Sequence, residues 1–170
     1  VQVTLLNDLT VEYAQGNYSL YDDKLFIVKE GDYYPVNTAV KKFTIQYPAS
    51  ATAKALYTFQ AGYPKIGDHH EGTYYEQLAS NNQIQFLKWM HKKVRQIEGY
   101  GGSGEKKLVD ITEYYLFDVN NKKLISMGNK INANQIKSGL ISINNSYEST
   151  LQSKNIKSES DLIVLIKELP

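Results

Sequence analysis

Near residue 130 the hydrophobic pattern of this chain changes period, and that one change limits the folds open to it. Upstream, apolar and polar residues alternate in short runs separated by Asn, Asp and Gly; downstream, apolar residues recur every three to four positions. Alternation divides side chains between the two faces of a strand, whereas the longer spacing draws a stripe along a helix. Strands first and helices last is the order of an α+β domain. The pattern predicts one domain over residues 1–170. Its β-rich body spans 1–130, as a predominantly antiparallel sheet or partly open barrel, and two or three short helices follow over 131–170.

Within the body, residues 1–5, 9–13, 24–29, 40–46, 56–60 and 74–78 read as strands. Asn7-Asp8, Gly16-Asn17, Gly31-Asp32 and Asn81-Asn82 read as turns, because these residue types tolerate turn backbone angles. Pro35 marks an edge or a strand end, since it cannot donate to a ladder. Residues 49–55 and 62–72 read as loops, the second one exposed. Residues 84–97 fit two patterns. Ile84, Leu87, Met90, Val94 and Ile97 recur at helical spacing, but the Asn-Asn pair before them and the glycines after them suit a long hairpin arm, and the flanks favour the strand. Residues 107–119, with Val109, Ile111, Tyr115 and Phe117 on one face, form the clearest strand. In the tail, Asn132 with Gln135 and Ser158 with Asp161 have capping-box spacing. Ile136, Leu140, Ile143, Tyr147 and Leu151 make one stripe, and Leu162, Leu165, Ile166 and Leu169 another.

Composition narrows the function classes. With no cysteine there is no disulfide framework, thiolate metal site or thiol nucleophile. A net charge of +1 supplies no long-range attraction to nucleic acid, and no apolar run approaches the roughly 20 residues of a membrane-spanning helix. Fourteen tyrosines, some as adjacent pairs, suit pleated, half-buried surfaces; on a strand, one member of each pair faces each side.

Several segments carry a resemblance: Tyr74-Tyr75-Glu76-Gln77-Leu78, Phe86-Leu87-Lys88, Lys92-Lys93-Val94, Tyr114-Tyr115-Leu116 and Asn120-Asn121-Lys122-Lys123-Leu124. The most specific is Asn155-Ile156-Lys157-Ser158-Glu159-Ser160-Asp161-Leu162. Together the stretch 73–169 resembles uncharacterised exported proteins of Bacteroidetes. It departs from them at Glu168-Leu169-Pro170, where aromatic residues are expected. The resemblance implies a strand over 84–97 and export to the periplasm or cell envelope, with a signal peptide removed ahead of Val1. It implies no activity, and so assigns no functional residue.

Four surfaces are candidate sites. Asp68, His69, His70 and Glu71 are potential metal ligands in consecutive positions, although adjacent side chains rarely all reach one ion. Gly99-Tyr100-Gly101-Gly102-Ser103-Gly104 satisfies G-x-G-x-x-G, but a strand rather than a helix is expected after it, and Glu105 replaces the lysine of a P-loop. No nucleotide or other cofactor is therefore expected. Lys88, Trp89, Lys92, Lys93, Arg95 and Tyr100 interleave cations with aromatic rings, a surface for single-stranded nucleic acid, an acidic glycan or a lipid head group; lysines also guard exposed strands against edge pairing, their commoner use. Finally, Trp89, the tyrosines and the asparagines could stack on and hydrogen-bond to sugars. No nucleophile elbow, His-Glu-x-x-His or spaced carboxylate pair appears, and no catalytic residue is assigned. The expectation is a non-enzymatic envelope protein that binds an envelope glycan or another envelope protein, with no nucleic-acid partner. The alternative is a hydrolase of envelope polymers using His69, His70 or His91, recognisable by a histidine beside a cleft.

Overall fold

The computed structural model describes residues 1–48, 54–97 and 105–170. Their strands are β1 (Gln2–Leu5), β2 (Thr10–Glu12), β3 (Gln15–Ser19), β4 (Lys24–Lys29), β5 (Asp32–Pro35), β6 (Val40–Pro48), β7 (Lys54–Gln60), β8 (Tyr75–Ser80), β9 (Ile84–Ile97), β10 (Glu105–Asp118) and β11 (Lys123–Gly128). The helices α1 (Ala133–Ile143), α2 (Glu148–Gln152) and α3 (Glu159–Glu168) follow, with a 3-10 turn at Asn145–Tyr147. The fold is α+β, as the change of period requires. Eight strands form one antiparallel sheet in the order β11-β10-β9-β8-β7-β6-β1-β2, which is open rather than a closed barrel; β3, β4 and β5 form a second sheet of three. Residues 84–97 are a strand, the arm of a hairpin paired with β10 along its whole length.

A single row of directly paired residues crosses the large sheet: Val11, Val3, Phe43, Phe59, Glu76, Lys88, Tyr114 and Gly128. It lies on the front face, and its chemistry changes along its length because two different lids cover it. Over β1, β6 and β7 the lid is the three-stranded sheet. Tyr18 and Tyr74 close on Phe43 and Phe59, with ring centroids 4.8–6.1 Å apart. Over β8 to β11 the lid is the helices, which seat Ile136, Leu140, Leu162 and Ile166 on Ile84, Phe86, Leu116 and Met127. Along the row the cover changes from one lid to the other at Glu76 and Lys88. The Lys88 ammonium is 3.1 Å from Glu159 of α3 and 3.9 Å from Glu76. Tyr114 also donates to Glu159 at 3.0 Å, and its hydroxyl is pushed up to about 12, chiefly by burial. Glu76 is 7% exposed, one of its oxygens has no hydrogen-bond partner, and burial raises its carboxyl above the usual range.

Local signals account for the helix starts. Ser158 and Asp161 form the full reciprocal capping box. Asn132 caps α1 by accepting from the amides of Asn134 and Gln135, but the Gln135 side chain reaches Ser126 O instead of turning back, so that box is only half made.

Three sequence expectations need correction. Gly16 and Asn17 are not a turn but lie inside β3. A Cβ on Gly16 would stand 2.8 Å from Phe26 O and 2.7 Å from Val1 Cγ2, so glycine serves close strand approach there. β7 starts at Lys54, ahead of the expected strand; residues 49–53 lie outside the described ones. The segment 62–72 is not an exposed loop throughout. It folds onto the back face of the sheet, where Tyr63 is 2% exposed and packs edge-on against Tyr75 and Phe117.

Candidate functional site

The site arises where the large sheet splits. β8 pairs with β7 through only Phe59↔Glu76 and Gln60↔Tyr75, and with β9 no further than Lys88, so among the described residues no strand pairs with that edge of β9 beyond it. The tip of the β3–β4 hairpin fills part of the gap, and Lys92 N–H donates to Leu20 O at 2.9 Å. Asp23, in the tip, holds φ at +53°, a left-handed angle that Asp tolerates, and accepts from the Tyr18 hydroxyl. The loop before β8 closes the gap from the back, pinned by a two-residue bridge between Ile66 and His69.

Between tip, loop and hairpin arm lies a cleft of about 410 Å3, lined by Asp23, Asp68, His69, His70, Thr73, Trp89, His91, Lys93, Ile111 and Glu113. All three histidines of the chain line it. A larger cavity of about 520 Å3 lies at Leu6, Val40, Gln60 and Tyr74, with only Lys41, Glu71 and Tyr74 as titratable side chains. Convergent polar groups favour the smaller one as the site.

His69 organises the cleft. Its ring lies 4.3 Å from Trp89, 5.6 Å from Tyr75 and 5.5 Å from Tyr115, and Trp89 stacks on His91 at 5.3 Å and 9°. Nδ1 is 2.7 Å from the Tyr75 hydroxyl, and Nε2 is 3.8 Å from Glu113. Glu113 also accepts from Tyr115. Tyr75 has no other acceptor among its hydrogen bonds, so the arrangement that satisfies its proton gives it to Nδ1 and leaves the imidazole proton on Nε2, toward Glu113. Burial lowers the His69 pKa, partly offset by Glu113 and Asp68, which keeps the ring neutral at neutral pH. Burial raises the phenols of Tyr75 and Tyr115, which remain donors.

The four consecutive candidates separate. His69 turns inward; His70 is exposed, its Nδ1 accepting from Gly72 N–H at 3.0 Å; Asp68 and Glu71 are exposed, and Glu71 lies outside the cleft. Among the described residues no three His, Asp or Glu side chains gather as metal ligands. The cation-and-ring surface also divides, because strand residues alternate between faces. Lys88 is held at the front by Glu159, and Lys92 by Asp110 at 2.7 Å, while Trp89 and Lys93 line the cleft at the back. Arg95 is exposed two residues further along the arm, on the same side as Trp89. Tyr100, with the whole glycine segment 99–104, lies outside the described residues.

Parity along β9 could have placed Trp89, His91 and Lys93 together, and hairpin register could have put Glu113 opposite Trp89. Nothing in the sequence marked Asp23, which arrives from another sheet. Among the described residues no helix is long and apolar enough to cross a membrane. Comparison of the chain with protein-family models, curated proteins and solved structures finds no match.

Proposed function

We propose that this protein is a binding module of the cell envelope whose cleft takes a neutral sugar unit of a glycan. The observation that carries this is the convergence of Asp23, Asp68 and Glu113 with His69, His70 and His91 around Trp89. Three carboxylates against the single ammonium of Lys93 accept hydrogen bonds from hydroxyls and leave an excess of negative charge that disfavours phosphate, sulfate and uronate, so the ligand is rich in hydroxyls and uncharged. Imidazoles both donate and accept, and Trp89 with Ile111 supplies apolar surface for the C–H face of a ring. The volume lies within the roughly 300–1,000 Å3 of small-molecule sites. Residence in the envelope rests on the resemblance to exported proteins. Ligand-observed NMR with neutral and acidic oligosaccharides tests the reading. Neutral sugars should give saturation transfer that Asp23→Asn and Glu113→Gln each reduce, and acidic ones none. Transfer from acidic sugars alone, or insensitivity to both substitutions, defeats it.

A second reading, hydrolysis of a polymer bond in the same cleft, has the histidine beside a cleft expected of it; the proton acceptor would be the Glu113 carboxylate, since Tyr75 and Glu113 face the two ring nitrogens of His69. Release of reducing ends from envelope polysaccharide, abolished by Glu113→Gln, would establish turnover over simple binding.

A further inference from the structure

The β9–β10 hairpin outruns the sheet that carries it. β11 pairs with β10 only from Tyr114 onward, so among the described residues the outer edge of β10 over 105–113 has no strand beside it. Which residues present backbone groups there follows from one hydrogen bond. Lys92 N–H points away from β10, toward Leu20 O, and Lys92 is paired with Asp110. In an antiparallel ladder both members of such a pair aim their amides and carbonyls outward. Asp110 therefore faces the open edge, and so do Lys106, Leu108 and Thr112 at steps of two.

We infer that this edge is a self-pairing surface: a second copy of the chain adds its β10 antiparallel, about a two-fold axis at Leu108. Charge complementarity selects both partner and register. Centred on Leu108, the pairing sets Leu108 opposite Leu108, and Lys106 opposite Asp110 twice; Asp110, already 2.7 Å from Lys92 of its own chain, thereby gains a second cation on its open side. Centring on Val109 sets Glu105 against Glu113; centring on Asp110 sets that carboxylate against its own copy; centring on Lys107 does the same for its ammonium. Like charges directly opposite destabilise a ladder. Of these four centres only Leu108 opposes no like charges; it leaves Lys107 opposite Val109 and Glu105 opposite Ile111.

The exposed apolar surface agrees with that centre. Leu108 is 57% exposed and Val94, its direct neighbour on β9, 40% exposed. The pairing lines up Val94, Leu108 and their two copies in one row across four strands. Lys106 and Lys107, which discourage indiscriminate strand addition, admit a partner that brings Asp110. The axis stands perpendicular to the joined sheet, so both clefts open on the same side. For a repeating glycan, which is the reading given above, this makes binding bivalent; the pairing itself does not depend on it.

Sedimentation equilibrium over a concentration series tests the interface. Wild type should show a monomer–dimer equilibrium, and Lys106→Asp and Asp110→Lys should each weaken it by about tenfold or more, since each places two like-charged pairs across the axis. An equimolar mixture of the two variants should dimerise again, because each now complements the other. Circular dichroism confirms that both remain folded. Wild type monomeric up to millimolar concentration, a dimer unchanged in either variant, or a mixture that stays monomeric each overturns the assignment. Asp23→Asn, which reads out the cleft, should leave the dimer intact, so failure of the sugar reading and failure of the interface remain distinct.

Discussion

β9 and β10 carry opposite architectures on their two faces. On the front, Ile84, Phe86 and Leu116 lie under helices that contribute Leu140, Leu162 and Ile166, all fully buried and without a polar atom. On the back, Leu87, Tyr115 and Phe117 lie under a loop that contributes Tyr63 and His69, where Tyr75 donates to the imidazole and Tyr115 donates to Glu113. The same strands thus build a close-packed core on one side and a polar, partly open cleft on the other. A helix satisfies its own backbone and can offer a purely apolar stripe, whereas a loop must place polar groups as it packs.

If the helical face holds the fold together, truncation there should cost most. Leu162→Ala should lower the unfolding free energy by about 2–5 kcal/mol in urea titration, with the cleft still folded at low denaturant. A loss no larger than at the back face would break the comparison. His69→Ala comes next: it leaves the Tyr75 hydroxyl without its acceptor and removes the ring that pins the loop, for a cost of about 1–3 kcal/mol. Hydrogen exchange should rise in residues 62–73 and not in α3; a rise in α3 would show that the faces are coupled. The same variant sharpens the electrostatics. A lowered folded pKa means that the unfolded state binds the proton more readily, so wild-type stability is held above the ordinary imidazole range and declines as pH falls through and below it. His69→Ala should lack that decline.

Ser158→Ala removes one half of the α3 capping box and should cost about 1 kcal/mol, read as a shift in the thermal midpoint. The smallest effect is expected at the seam between the two front lids. Because the Glu76 carboxyl is raised by burial, the folded state holds its proton longer than the unfolded one. Its contribution to stability is full in acid and declines as pH rises from the ordinary carboxylate range through the raised one. Glu76→Gln removes that decline and should be slightly more stable than wild type at neutral pH. Lower stability would mean that Lys88 depends on Glu76 rather than on Glu159.

The helical face was nearly all legible in the chain, since the stripes through Ile136 and Leu162 and the Ser158 cap are local patterns. Two of the adjacent tyrosine pairs also divide as strand parity requires, Tyr74 and Tyr114 to the front and Tyr75 and Tyr115 to the back. The cleft was legible only in fragments. Asp68, His70 and Glu71 are exposed as their polar types suggest, whereas His69 turns inward on a loop that Tyr63 anchors against Phe117. Lys88 and Trp89 looked like one surface because they are neighbours in sequence, which on a strand is what separates them.

The sequence by itself determined the period change, the strands and most of their turns, the helix caps, and therefore an antiparallel sheet with a helical cover. Each follows from interactions within a few residues of chain. Tertiary structure alone decided that β8 stops short, that the β3–β4 tip carrying Asp23 enters the gap, and that His91 of β9 meets His69 and His70 of the loop around Trp89. Those outcomes depend on which distant surfaces bury each other, a choice that no local pattern encodes.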